Sequence, residues 1–250
     1  MSLLLTIIAG LLVGAVLGTV GSGGSILAVP TLVYAAGLPV HEAMATALAV
    51  VFAAAVTSVL PRLRGGVDWT AAVAMALAGI PFTLAGSVLG QRISDTVLTL
   101  LFAAVLLLAA VLVRKRPGRE AIEEDRHRPR GTLARAIAAG AAVGTLTGIL
   151  GVGGGFLIVP TLTMALKLPL SRAVGTSLVV IAINSAVGFA GHLSGTHLDW
   201  TITLCFAAAT MGAAALASRW SLKLPAAAIS RVFSGTVVVV ASVLVVKTVL

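Results

Sequence analysis

Long, almost uncharged apolar runs follow one another along this chain, separated by short polar or glycine-bearing breaks. They cover residues 3–20, 26–36, 43–60, 69–90 and 96–113, then residues 133–150, 156–166, 173–193, 200–218 and 229–246. A helix that crosses a bilayer needs about 20 mainly apolar residues, close to the length of most of these runs. Membrane β-strands would instead alternate apolar and polar positions over about ten residues. The runs at 26–36 and 156–166 are shorter, and a glycine cluster divides each from the run before it. One long hydrophilic stretch, residues 114–130 (RKRPGREAIEEDRHRPR), splits the chain into two sets of five runs. Its prolines and mixed charges suit a solvated linker.

The two sets repeat each other. At an offset of 130 positions, residues 18–50 match residues 148–180 at 16 of 33 positions. The identities include Gly21/Gly151, Gly23/Gly153, Gly24/Gly154, Pro30/Pro160, Thr31/Thr161, Pro39/Pro169 and Thr46/Thr176. After one inserted residue the match resumes at Asp68-Trp69-Thr70 and Asp199-Trp200-Thr201. Chance similarity between apolar segments pairs leucine with valine, not glycines and prolines in register. An internal duplication follows, a common plan of secondary transporters. The organisation read from this pattern is a first membrane repeat at 1–113, a basic cytoplasmic linker at 114–131 and a second membrane repeat at 132–250.

Charge placement orients the halves, because lysine and arginine collect in cytoplasmic loops. If each glycine-centred pair of runs is a hairpin entering and leaving on one face, 15 of the 17 basic residues share one side, with Arg92 and Lys247 opposite. If the second pair is a single crossing, the division is only 11 against 6. The first pair carries no basic residue ahead of it, so extending the hairpin to it rests on the repeat. The predicted fold is an all-α integral membrane protein of about eight hydrophobic segments. Each half holds a glycine-broken helix or re-entrant hairpin plus three spanning helices, the halves are inverted, and both termini lie outside. Eight ordinary crossings with parallel halves are the alternative. The first run lacks a basic leader and an A-x-A site, and reads as a retained segment rather than a signal peptide.

Composition agrees. The 250 residues are 59% hydrophobic, 10% charged and 4% aromatic, with a mean hydropathy of +1.12. Such a chain cannot cover a water-facing surface with polar groups, which excludes a soluble globular fold and disorder alike. The net charge of +9 reflects topology rather than nucleic-acid binding. The lone Cys205 excludes a disulfide scaffold. His41, His127, His192 and His197 are scattered, without the i, i+4 spacing of a metal site. Neither a metal nor a cofactor is expected.

The glycine clusters are the candidate site. Gly21-Ser22-Gly23-Gly24-Ser25 and Gly151-Val152-Gly153-Gly154-Gly155 would break a helix at membrane depth, where bare backbone is tolerated only inside protein or beside a wet cavity. The half-helix after each break exposes unpaired N–H groups and a partial positive charge. Two such ends meeting from opposite sides would cradle an anion near the midplane. The competing account is that the glycines merely allow close helix packing. Pro30 and Pro160 read as structural, kinking or ending the half-helix. Thr46, Thr57, Ser58, Thr176, Ser177, Asn184 and Ser185 follow on the next runs. Thr46, Thr176 and Ser177 could donate to a bound oxyanion or tie helices together. Asn184 has the stronger claim, since a buried amide in lipid needs partners and its repeat mate is Ala54. No acidic residue lies mid-run, which argues against a cation site or a carboxylate relay. Asp68 and Asp199 precede tryptophans and read as helix N-caps. Arg62 and its repeat mate His192, at the ends of runs, are expected to snorkel toward water, the alternative being gate or attraction charges.

The duplicated G-x-G-G-x-x-x-x-V-P-T-L pattern, followed by G/K-L-P and A-x-x-T-S/A-L, resembles the sulfite exporter TauE/SafE family, also called the toluene-sulfonate uptake permease family. The resemblance covers nearly the whole chain. It implies transport of small sulfur-containing anions such as sulfite, thiosulfate, sulfoacetate or other organosulfonates across a bacterial cytoplasmic membrane. The residues themselves argue only for a compact oxyanion, carried by a multi-pass permease working by alternating access. An anion channel is the alternative. An intramembrane enzyme is disfavoured, because Ser22 lacks a base and its repeat mate is Val152. The expected partners are the small anion and the bilayer, and a homodimer would fit.

Overall fold

Asp68 and Asp199 start helices as expected. The Asp68 side chain accepts from the Ala71 N–H, and Asp199 accepts from Thr201 and Ile202. These bonds satisfy helix-start donors that would otherwise be orphaned. A computed structural model describes residues 3–21, 23–34, 36–114, 132–151, 155–164, 166–193 and 198–225, together with residues 228, 231 and 235. Among the described residues there are nine α-helices and no strands. They are α1 (Leu3–Val20), α2 (Gly23–Tyr34), α3 (Val40–Val59), α4 (Trp69–Gly90), α5 (Asp95–Arg114), α6 (Thr132–Leu150), α7 (Gly155–Met164), α8 (Leu170–Leu193) and α9 (Trp200–Ser221). A 3₁₀ turn, Leu60–Arg62, extends α3. The helices reproduce nine of the ten apolar runs. The linker beyond Arg114 and the tenth run, apart from Arg231 and Gly235, lie outside the described residues.

Among the described residues, five segments are long and apolar enough to cross a membrane: Val40–Arg62, Trp69–Gly90, Leu133–Leu150, Leu170–Leu193 and Trp200–Ser221. Helices α2 and α7, of 12 and 10 residues, reach only about 18 and 15 Å at 1.5 Å per residue. They are half-helices against a hydrocarbon core of about 30 Å.

Small residues decide the packing. Gly10, Gly14 and Gly18 of α1 lie against Ala209, Ala213 and Ala217 of α9, in matching order, so these helices run parallel. Gly140, Gly144 and Gly148 of α6 lie in the same manner against Met75, Gly79 and Thr83 of α4. A Cβ at Gly14 would sit 2.9 Å from the Ala213 Cβ, and one at Gly140 would sit 2.8 Å from the Met75 Cα. Spacings of four put each set on one helix face, where missing side chains let backbones approach.

Helices α3 and α8 form the centre. Gly188 of α8 touches Leu48 near the start of α3, whereas Gly175 meets Gly66 just beyond its end. The two therefore run antiparallel. The end where α3 finishes and α8 begins carries Arg62, Arg64, Lys167, Arg172, Arg219 and Lys223; it is called the basic end below. At the far end His41 pairs with Asp95 at 2.8 Å, and the Gln91 side chain donates to the Gly191 carbonyl at 2.8 Å. Arg92 is the one lysine or arginine at that end among the described residues.

Candidate functional site

Each glycine break makes a sharp turn. Gly21 has φ +79° and Gly151 φ +62°, in the left-handed region that favours glycine. Their surroundings correspond. A Cβ at Gly21 would lie 2.6 Å from the Val174 Cγ1 of α8, and a Cβ at Gly151 would lie 2.7 Å from the Met44 Cγ of α3. Val174 and Met44 are each the fifth residue of their helix. Because those helices run antiparallel, the two turns lie at opposite ends of the bundle. The 14 residues from Val174 to Gly188, which is level with Leu48, span on the order of 20 Å. The expected meeting of both half-helix starts near the midplane is thus not what the geometry gives. Long first helices cause this: α1 and α6, of 18 and 19 residues, run nearly the full depth before turning.

Not every cluster glycine opens space. At Gly24 a Cβ would fall 2.5 Å from the Val13 carbonyl oxygen and 2.6 Å from the Leu17 amide, so there the glycine serves helix packing. Ser25 is buried, and Gly23 and Gly155 open α2 and α7. Ser22, Gly153 and Gly154 lie outside the described residues.

The hydroxyl candidates divide. Thr176 accepts from the Asp68 N–H at 2.9 Å, and Thr46 faces Thr203 at 3.4 Å, so both tie α8 and α3 to helices of the other half. Ser177 donates to the Val174 carbonyl at 2.8 Å and borders Gly21. Asn184 differs from all of these. It is 0% exposed, midway along α8, and neither atom of its carboxamide has a hydrogen-bond partner. Thr83, Thr147 and Ser185 also bury unpartnered hydroxyls. A buried polar group without a partner is costly. Asn184 borders Gly79, and Thr83 reaches Gly188 one turn along α8. Thr147 adjoins Gly148, itself seated on Thr83. The interface of α4 and α8 therefore holds a polar patch of Asn184 and Thr83 toward the middle of both helices.

Thr83 and Thr147 were not singled out from sequence. The usable signal was their repeat mates: Ala214 and Leu17, just as Asn184 matches Ala54.

Arg62 and His192 do not snorkel. Arg62 is 5% exposed and His192 0%. Arg62 donates to the Ser58 carbonyl at 3.1 Å, to the Gly18 carbonyl at 3.4 Å and to the Ser221 hydroxyl. It joins α1, α3 and α9, and those donors never reach water because the bundle closes around them. His192 Nδ1 lies 2.9 Å from the Gly188 carbonyl, the repeat counterpart of Ser58. Its Nε2 has no partner. No carboxylate pairs with Arg62 or His192 among the described residues. No group of three metal-ligating side chains occurs among them either.

The sulfite exporter TauE/SafE family model matches residues 6–244. The chain belongs to that family. A probable membrane transporter protein of Xylella fastidiosa strain Temecula1 is 33% identical over 248 residues, 96% of this chain and 94% of the relative. Another, from strain 9a5c, is 33% identical over 207 residues, 82% and 79% of the two chains. A third, from Methanocaldococcus jannaschii, is 31% identical over 199 residues, 76% and 72%. No solved structure matches. This TauE/SafE member is a multi-pass membrane transporter.

Proposed function

We propose that the chain moves a small sulfur-containing oxyanion, such as sulfite, thiosulfate or an organosulfonate, across the cytoplasmic membrane by alternating access. One observation carries the anion assignment. Among the described residues, the buried polar side chains are hydroxyls, the Asn184 carboxamide, Arg62 and His192, with no carboxylate. An interior of neutral donors and fixed positive charge suits an anion and offers a cation nothing to bind. The family description supports sulfur chemistry.

The halves are read as inverted repeats. In support, α1 lies on α9 as α6 lies on α4, and Gly21 meets Val174 as Gly151 meets Met44. Both pairs of contacts exchange under the 130-residue offset. The basic end is then cytoplasmic. On this reading the glycine turns serve one mouth each instead of sharing a cradle. Gly21, Gly23 and Ser25 with Ser177 form the basic mouth; Gly151 and Gly155 form the other. Asn184 is the contact between them. Thr46 and Thr176 hold the halves together, and Gly24 packs α2 on α1. Each turn rests on the other half's central helix, so a rocking of the halves opens one mouth as it closes the other.

Uptake of labelled sulfite, thiosulfate and sulfoacetate into proteoliposomes, with and without a proton gradient, tests the reading. Saturable entry of at least one anion, competed by the unlabelled species, is expected. Failure of all three to enter would refute it.

A further inference from the structure

Arg62 is a cation enclosed in an apolar bundle, with carbonyls and a hydroxyl for partners and no carboxylate among the described residues. A buried charge without a counter-charge is strongly disfavoured. One turn earlier on α3, the buried Ser58 hydroxyl has no partner at all. The Gly18 carbonyl that Arg62 holds belongs to the last turn of α1, three residues before Gly21, which packs against Val174 and Ser177 of α8. A fixed positive charge, an idle hydroxyl and the first glycine turn therefore converge at the basic end.

The equivalent positions at the far end lack this chemistry. The repeat mates of Arg62, Ser58, Ser221 and Ser177 are His192, Gly188, Gly90 and Ala47. His192 repeats only the bond to its own helix. It has no counterpart of the arm that Arg62 extends to α1 and α9.

Resting on the anion-permease reading above, we propose that Arg62, Ser58 and Ser221 form a tetrahedral or pyramidal oxyanion site at the basic end. The anion occupies it by taking over the guanidinium donors now held by Gly18 and Ser221. Charge-assisted, forked hydrogen bonding makes arginine suited to that exchange. The site also works as a latch. While empty, Arg62 ties α1, α3 and α9 together; the arriving anion releases α1 and α9. Only one of the two glycine turns then carries a charged site, so the transport cycle is chemically asymmetric although the backbone repeats.

Binding, rather than flux, tests this separately from the transport reading. Sulfite, thiosulfate and sulfate are titrated into the purified full-length protein, with calorimetry and thermal unfolding as readouts. Arg62→Gln should weaken oxyanion binding by about tenfold or more, the loss of hydrogen bonds to a charged group. Ser58→Ala should weaken it about threefold without lowering the unfolding midpoint of the anion-free protein, since that hydroxyl has no partner to lose. Arg64→Gln, an exposed charge nearby, should leave binding unchanged. Wild-type affinity in both Arg62→Gln and Ser58→Ala, or no binding of any oxyanion to the unaltered protein, overturns the site. If Arg62→Gln fails to fold, Ser58→Ala alone decides. Arg62-dependent binding without flux would refute the transport reading and keep the site; flux with unchanged binding in the variants would do the reverse.

Discussion

The carboxamide of Asn184 lies over Gly79, so close that a Cβ on the glycine would sit 2.7 Å from Oδ1 and 2.9 Å from Nδ2. Helix α4 has given up a side chain where α8 presents an amide, yet the amide has no hydrogen-bond partner among the described residues. A group held in place and left unpaired is arranged for something other than stability. Asn184→Leu, which keeps the volume and removes both polar atoms, should therefore leave the unfolding midpoint unchanged or raise stability by about 1–3 kcal/mol. Transport should fall by about tenfold or more. Thermal unfolding in detergent and proteoliposome flux measure the two effects, and a large loss of stability would mark the amide as structural.

Gly79→Ala should push that amide aside, at a cost of about 1–3 kcal/mol for overpacking. Adding Asn184→Ala removes the clash, so the double variant should recover most of the lost stability but not the flux. A double-mutant cycle on the unfolding midpoint reads the coupling.

The sequence made the helices legible because nearly all of each run is apolar and both aspartate caps sit where runs begin. The duplication was legible because glycine and proline identities fall in register. Depth was not. Identical motifs at Gly21 and Gly151 say that two turns are alike, but only the length of α1 and α6 ahead of them sets how far apart they sit. The glycines of α1 and α6 passed as ordinary apolar positions, although their spacing of four is the signature of a close helix seam. Arg62 was misread for a related reason. Its place at the end of a run suggested water, whereas the ends of α1 and α9 close over it.

Gly21 and Gly37 separate backbone strain from crowding. Both have positive φ, +79° and +74°, but nothing lies within 4 Å of a Cβ at Gly37. Gly37→Ala should cost about 1–2 kcal/mol for the left-handed conformation alone. Gly21→Ala should cost more, and Val174→Ala in the same chain should recover only the excess. Unfolding midpoints of the three variants check this order.

Topology is open to cysteine labelling in a Cys205→Ser background. Arg64→Cys and Lys223→Cys should react with a membrane-impermeant maleimide only from the cytoplasmic side, and Arg92→Cys only from the opposite side. Labelling of Lys223→Cys and its repeat mate Arg92→Cys from the same side would break the inverted arrangement.

Counterflow tests the central claim most directly. Vesicles containing the protein are preloaded with unlabelled sulfite or thiosulfate and placed in a trace of the labelled anion. A carrier with an enclosed, carboxylate-free anion path should accumulate label transiently above its outside concentration, faster than empty vesicles do, and an inorganic cation should show no such exchange. Equal entry with and without preloading, or exchange of the cation instead, would contradict the account.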